Sequence, residues 1–185
     1  MHQIVILSGS PSSTSRSEIA LRQINDTLIY RGFSVQFFSV RDVLPETLFY
    51  ARFDDPQIVA ISHALRQAEG VIVGSPVYKA SYTGVLKALI DLLPEDVLKD
   101  TPVLPIMVGG SGHHLLAIEF ALKPLLASLK GEPLQGVYLL DRHIDKTAEP
   151  PIRDTEVTYR LHKQIEQLIT AIDKQQTFLA KAQGE

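Results

Sequence analysis

Apolar residues along this chain fall into two alternating kinds of segment. Short unbroken runs, such as Ile4–Leu7 and the sequence from Gly70 to Gly74, have the β-branched character of strands buried on both faces. Between them lie longer stretches in which apolar positions recur at helical spacing; Ile19, Leu21, Ile24 and Leu28 form one such set. The pattern predicts strands at 4–7, 33–40, 70–74, 103–108 and 134–140. It predicts helices at 18–30, 56–68, 82–93, 114–129 and 155–182. Asp55 is a candidate cap for the second helix, with Pro56 in its first turn, while Pro94 and Gly131 stop the third and fourth. Pro102 and Pro105 argue for an irregular start to the fourth strand. The charged segment 141–153, with Pro150 and Pro151, reads as a surface loop.

Five strands separated by helices require right-handed crossovers, hence a parallel sheet covered on both faces. The most apolar strands, the first, third and fourth, belong at its centre. The flavodoxin-like order 2-1-3-4-5 meets that condition, giving an α/β three-layer sandwich with its ligand outside the carboxyl ends of the strands. No repeat, linker or low-complexity tract interrupts the pattern, so residues 1–185 are expected to form a single domain.

The loops at those strand ends are unusual. The first strand runs into Gly9-Ser10-Pro11-Ser12-Ser13-Thr14-Ser15-Arg16-Ser17, which opens a helix. Backbone N–H groups, hydroxyls, one guanidinium and a positive helix end then converge, an arrangement that suits a phosphate monoester. The loop has neither the Gly-Lys-Ser/Thr of a Walker loop nor a Gly-x-Gly-x-x-Gly fingerprint, so a mononucleotide such as FMN fits it better than ATP or NAD. Read alone, the same residues are equally a solvated turn in which Ser15 or Ser17 caps the helix. After the third strand comes Ser75-Pro76-Val77-Tyr78-Lys79-Ala80-Ser81-Tyr82-Thr83-Gly84, and after the fourth Gly109-Gly110-Ser111-Gly112-His113-His114. Rigid backbone, two tyrosines and a glycine-rich stretch suit a flat ring with polar edges. Tyr82 reads more simply as a partly buried aromatic, and Lys87 with Asp91 as an exposed helical pair.

Composition narrows the chemistry. The chain has no Cys, which excludes disulfides and thiolate nucleophiles, and a net charge of −3 offers no attraction for nucleic acid or an anionic membrane. No window is long and apolar enough for a membrane span, and the first residues lack a basic leader, so a cytoplasmic location is expected. His113 and His114 point apart at a helix start with no third ligand in view, which argues against a metal.

The Gly-Ser-Pro and Ser15-Arg16-Ser17 elements, the run from Ser75 to Lys87 and Asp91-Leu92-Leu93-Pro94 resemble the NADPH-dependent FMN reductase family. Leu48-Phe49-Tyr50-Ala51-Arg52-Phe53-Asp54 and Ala121-Leu122-Lys123-Pro124 are similar to the members that supply reduced flavin to alkanesulfonate monooxygenase. The resemblance implies a flavodoxin-like homodimer or homotetramer that reduces FMN with NADPH and passes it to a partner monooxygenase. By position, Ser10, Ser15, Arg16 and Ser17 would hold the phosphate. Pro76, Val77 and Tyr78 would line the ring and ribityl chain, with Gly109, Gly110 and Ser111 closing the other side and Lys79 a candidate cation for the anionic edge of the reduced ring. Many members carry Arg where this chain has Ser12, so Arg16 is left to supply the charge. The sulfonate-linked members carry an inserted Tyr that makes a π-turn in the fourth helix, and Phe120 takes its place here. An FMN-retaining quinone or azo-dye reductase shares the fold. An electron-carrying flavodoxin does too, although carriers are usually strongly acidic and sandwich the ring with a Trp, which this chain lacks.

Overall fold

The computed structural model describes residues 2–182, with side chains through Phe178; Met1 and 183–185 of the expected single domain lie outside the described residues. The strands are β1 (Gln3–Ser8), β2 (Ser34–Ser39), β3 (Gly70–Pro76), β4 (Pro102–Gly109), β5 (Glu132–Pro133) and β6 (Val137–Leu140). The helices are α1 (Arg16–Tyr30), α2 (Pro45–Phe49), α3 (Pro56–Gln67), α4 (Gly84–Ile90), α5 (Lys123–Ser128) and α6 (Thr155–Ala182). All pairings between strands are parallel, in the order β2-β1-β3-β4-β5, with β6 also on the β4 edge.

Period-two alternation sends successive strand residues into two separate apolar layers. Val5, Leu7, Val71, Val73, Val103 and Met107 pack with Ile58, Ile61, Leu65, Leu86, Leu89 and Leu126 from α3, α4 and α5. Ile4, Ile6, Ile72, Leu104, Ile106 and Val108 face the other way, onto Leu21, Ile24 and Leu28 of α1 and Leu161, Ile165 and Leu168 of α6. Each fully buried Ile or Leu stabilises the fold by roughly 1.5–3 kcal/mol relative to exposure.

The structure departs from the sequence pattern in five places. The strand expected at 134–140 is split into β5 and β6. The carbonyls of Thr101 and Val103 accept from Glu132 N–H and Leu134 N–H, so Pro105, one period on, turns its missing N–H toward the same edge. Pairing resumes only at Ile106 opposite Val137, and Gly136 (φ +82°) carries the chain across the gap. Pro102 and Pro105 nevertheless leave β4 regular and buried throughout, against the expected irregular start. The helix expected at 82–93 begins later, at Gly84, because Thr83 caps it by accepting from Leu86 N–H. The segment expected as one helix over 114–129 comprises a 3₁₀ turn (Gly112–His114), a π-turn (Ile118–Leu122) and α5. Phe120 lies within that π-turn and is 78% exposed. The fifth departure is α2, too short for any periodicity to announce it.

Candidate flavin site

Three loops meet at the carboxyl edge of the sheet, tied together by their main chains. Gly9 N–H donates to the Gly74 carbonyl at 2.7 Å, and Val77 N–H to the Val108 carbonyl at 2.8 Å. The Thr83 hydroxyl donates to the Gly9 carbonyl at 2.6 Å while Ser75 Oγ accepts from Thr83 N–H. The switch between β1 and β3 is therefore braced on both sides.

In the first loop Ser10 and Ser17 are buried, Ser15 and Arg16 half-buried, and residues 11–14 exposed. Ser15 Oγ lies 2.6 Å from Ser10 Oγ and 3.0 Å from Ser17 Oγ, so the three hydroxyls form a chain. Ser15 also caps α1, accepting from Glu18 N–H at 3.1 Å. The capping and phosphate-holding readings of this serine thus coexist in one geometry. The Arg16 guanidinium is steered by its Nε, which donates to the Ile144 carbonyl at 3.3 Å. The N–H groups of Ser13, Thr14, Arg16 and Ser17 have no protein acceptor among the described residues, as an anion site at a helix start requires.

After β3, Tyr78 and Ser81 exchange both backbone hydrogen bonds, at 2.8 and 3.1 Å, across a two-residue turn. Its central residues, Lys79 (φ +50°) and Ala80 (φ +63°), are both left-handed, the type I′ pattern normally filled by Asn and Gly. Side chains held there store strain, which clusters at functional sites. Tyr78 is half-exposed, and Tyr82 packs against the core. The Lys87–Asp91 pair forms as an exposed contact of 2.6 Å.

After β4 the structure adds a residue that the pattern did not mark. The Tyr138 hydroxyl from β6 donates to the Ser111 carbonyl at 2.6 Å. Gly109 is glycine for this reason as well, because a Cβ there would lie 2.3 Å from that hydroxyl. Burial, with the Asp141 carboxylate nearby, pushes the Tyr138 phenol above its usual range and keeps it a donor. Gly110 is exposed and Ser111 half-exposed, leaving their backbone free to meet a ring edge. His113 and His114 are both exposed, and His113 Nδ1 lies 3.0 Å from Ser111 Oγ. Among the described residues no cluster of three His, Asp or Glu side chains could hold a metal.

Sequence reasoning also missed Glu18, Arg41, Thr83 and Lys146. Glu18 is buried behind the first loop and accepts from Ser8, Arg22 and Arg41. Lys146, in the segment expected to be a surface loop, donates to the Thr14 carbonyl at 2.6 Å. Nothing local in the sequence marks the Arg41 and Lys146 contacts, which join residues 23 and 132 positions apart. An apolar groove of about 560 Å3 lined by Val43, Pro45, Phe49 and Val85 adjoins Pro11 on its outer side.

A parallel sheet in this order, with a hydroxyl-lined loop of free N–H groups at the end of its first strand, defines a flavodoxin-like flavoprotein. Residues 2–145 match the family model of NADPH-dependent FMN reductase. The chain belongs to that family. It is 42% identical over 172 residues to an FMN reductase (NADPH) of Pseudomonas putida, covering 91% of this chain and 87% of that protein. An FMN reductase (NADPH) of Escherichia coli is 43% identical over 143 residues, covering 77% and 75%. Among solved structures, an apo NADH:FMN oxidoreductase (EMOB) superposes with a TM-score of 0.73 at 30% identity, covering 94% and 88%. The chain is accordingly an oxidoreductase that acts on NADPH with FMN.

Proposed function

We propose that this chain transfers hydride from NADPH to an exchangeable FMN and delivers the reduced flavin to a partner monooxygenase, in the assimilation of sulfonate sulfur. The observation that carries the reading is the make-up of the first loop. It offers hydroxyls and main-chain N–H groups, and a neutral, exposed Ser12 stands where an Arg would strengthen the grip on phosphate. Such a loop recognises FMN without retaining it.

When bound, FMN supplies the ring that accepts hydride. Ser10, Ser15 and Ser17 hold the phosphate through their hydroxyls and the neighbouring N–H groups, and Arg16 adds charge. Pro76, Val77 and Tyr78 line the ring and ribityl chain, with Lys79 at the tip of its turn. Gly109, Gly110 and Ser111 present backbone donors to the polar edge of the ring, held in place by Tyr138. The residues orient and desolvate, and no side-chain nucleophile is required.

The test is steady-state NADPH oxidation with and without added FMN, on protein first passed through gel filtration. Colourless protein whose turnover depends on added FMN, and which drives a two-component sulfonate monooxygenase, supports the proposal. Protein that emerges yellow, with an FMN dissociation constant well below micromolar, overturns the exchange.

A further inference from the structure

The first loop can cradle an anion only if its carbonyl oxygens are kept out of the way, and four of them are occupied by donors. The Gly9 carbonyl accepts from the Thr83 hydroxyl, Ser12 from Ser10 Oγ and Ser15 N–H, and Thr14 from Lys146 Nζ. The Ser10 carbonyl accepts from Arg41 Nη1 at 2.9 Å. Arg41 stands in the 3₁₀ turn Val40–Asp42 that follows β2, thirty-one residues along the chain. Its other Nη donates to Glu18 Oε1 at 3.0 Å.

Glu18 is the anchor of this arrangement. Its carboxylate is buried at the third position of α1, where a capping glutamate would turn back to the Ser15 N–H. It points inward instead, accepting from Ser8 Oγ at 2.5 Å, from Arg22 at 3.1 Å and from Arg41. Ser8 Oγ in turn accepts from Ser10 N–H, at 3.4 Å. One carboxylate against two guanidinium groups leaves a net charge of +1 beside the loop. Both backbone polar groups of Ser10 are thereby tied to Glu18 through one intermediate each.

Resting on the phosphate-loop reading above, we propose that Glu18 and Arg41 are a positioning pair for the flavin phosphate. Glu18 fixes the guanidinium, and the guanidinium draws the Ser10 carbonyl out of the cradle so that an incoming phosphate meets donors alone. Neither residue touches the reacting ring. Their contribution is to recognition of the phosphate, and so separates FMN from riboflavin, which shares the ring and ribityl chain and lacks the phosphate.

The experiment measures dissociation constants for FMN and riboflavin, with steady-state kinetics, in wild type, Glu18→Gln, Arg41→Met and Arg41→Lys. Folding is monitored by circular dichroism. In wild type FMN is expected to bind more tightly than riboflavin. In Glu18→Gln and Arg41→Met that preference falls about tenfold, the loss that accompanies one hydrogen bond to a charged group. Riboflavin affinity, KM for NADPH and kcat stay unchanged while KM for FMN rises. Arg41→Lys keeps the charge but cannot bridge Ser10 and Glu18 at once, and is expected to lose the preference as Arg41→Met does. Equal weakening of both flavins, or a change in melting temperature alone, overturns the proposal in favour of a structural role. Tighter FMN binding by Glu18→Gln, or full rescue by Arg41→Lys, overturns it in favour of through-space attraction. If wild type itself does not prefer FMN, the phosphate-loop reading fails first, and the pair falls with it.

Discussion

Burial and charge pairing act in opposite directions on the Glu18 carboxyl. Burial pushes its proton affinity up, but hydrogen bonds from Arg41, Ser8 and Arg22 outweigh it and hold the group below the usual value of 4.5. A carboxyl more acidic in the folded chain than in the unfolded one stabilises the fold above its unfolded pKa. That contribution is lost as pH falls through the folded pKa. Wild type is expected to lose stability below about pH 4.5 more steeply than Glu18→Gln; urea midpoints followed downward from neutral pH check this, and parallel profiles would acquit Glu18. Glu18→Ala, which leaves two arginines facing a void, should cost about 3 kcal/mol at neutral pH, toward the low end for a broken buried pair because both arginines are partly exposed. The opposite sign is expected at Ala80. Relief of its left-handed backbone (φ +63°) by Ala80→Gly exceeds the added flexibility of the unfolded chain, for a net gain of about 0.5 kcal/mol in thermal unfolding.

Between β5 and β6 a single proline edits the sheet. The stretch from Leu134 to Leu140 is legible as one strand, and Pro105 is legible as a break, but which edge loses its donor depends on the phase of β4. That phase is a tertiary fact, and the pattern along one strand cannot supply it. The gap gives Gly136 its role: φ is +82°, and a Cβ would lie 2.7 Å from the Pro105 carbonyl oxygen. Gly136→Ala is therefore expected to cost about 2–4 kcal/mol, combining positive-φ strain with a backbone clash. Gly84→Ala, at the start of α4 with nothing within 4 Å of the added carbon, is expected to be neutral or stabilising by about 0.5 kcal/mol. Denaturant unfolding of the two variants side by side checks the contrast. The fourth helical segment repeats the lesson, since its apolar spacing reads as continuous helix while the backbone takes a π-turn at Ile118–Leu122. Only the likeness of Phe120 to an inserted aromatic pointed to that turn.

For the molecule as a whole, strand order was readable because buried parallel strands announce themselves as apolar runs, and from that order the loops rich in Ser and Gly were expected, and are found, at one edge of the sheet. The supporting shell was not readable: Arg41, Tyr138 and Lys146 reach the site across long sequence separations, each with an unremarkable local context, and Thr83, though inside the marked run from Ser75 to Gly84, gave no sign of its bond to Gly9. Phe120, with half-exposed Leu115 and Leu116 nearby, leaves apolar surface uncovered beside the site. If the chain assembles as a homodimer or homotetramer through this segment, Phe120→Asp should shift sedimentation toward a smaller species. An unchanged profile would place the interface elsewhere. The tied-back carbonyls of the first loop carry a consequence for time as well as affinity. A cradle whose dipoles are already arranged has no closing step to wait for when flavin arrives and no opening step when it leaves. Association should then run in a single phase whose observed rate rises linearly with flavin concentration, with residence time set by dissociation alone.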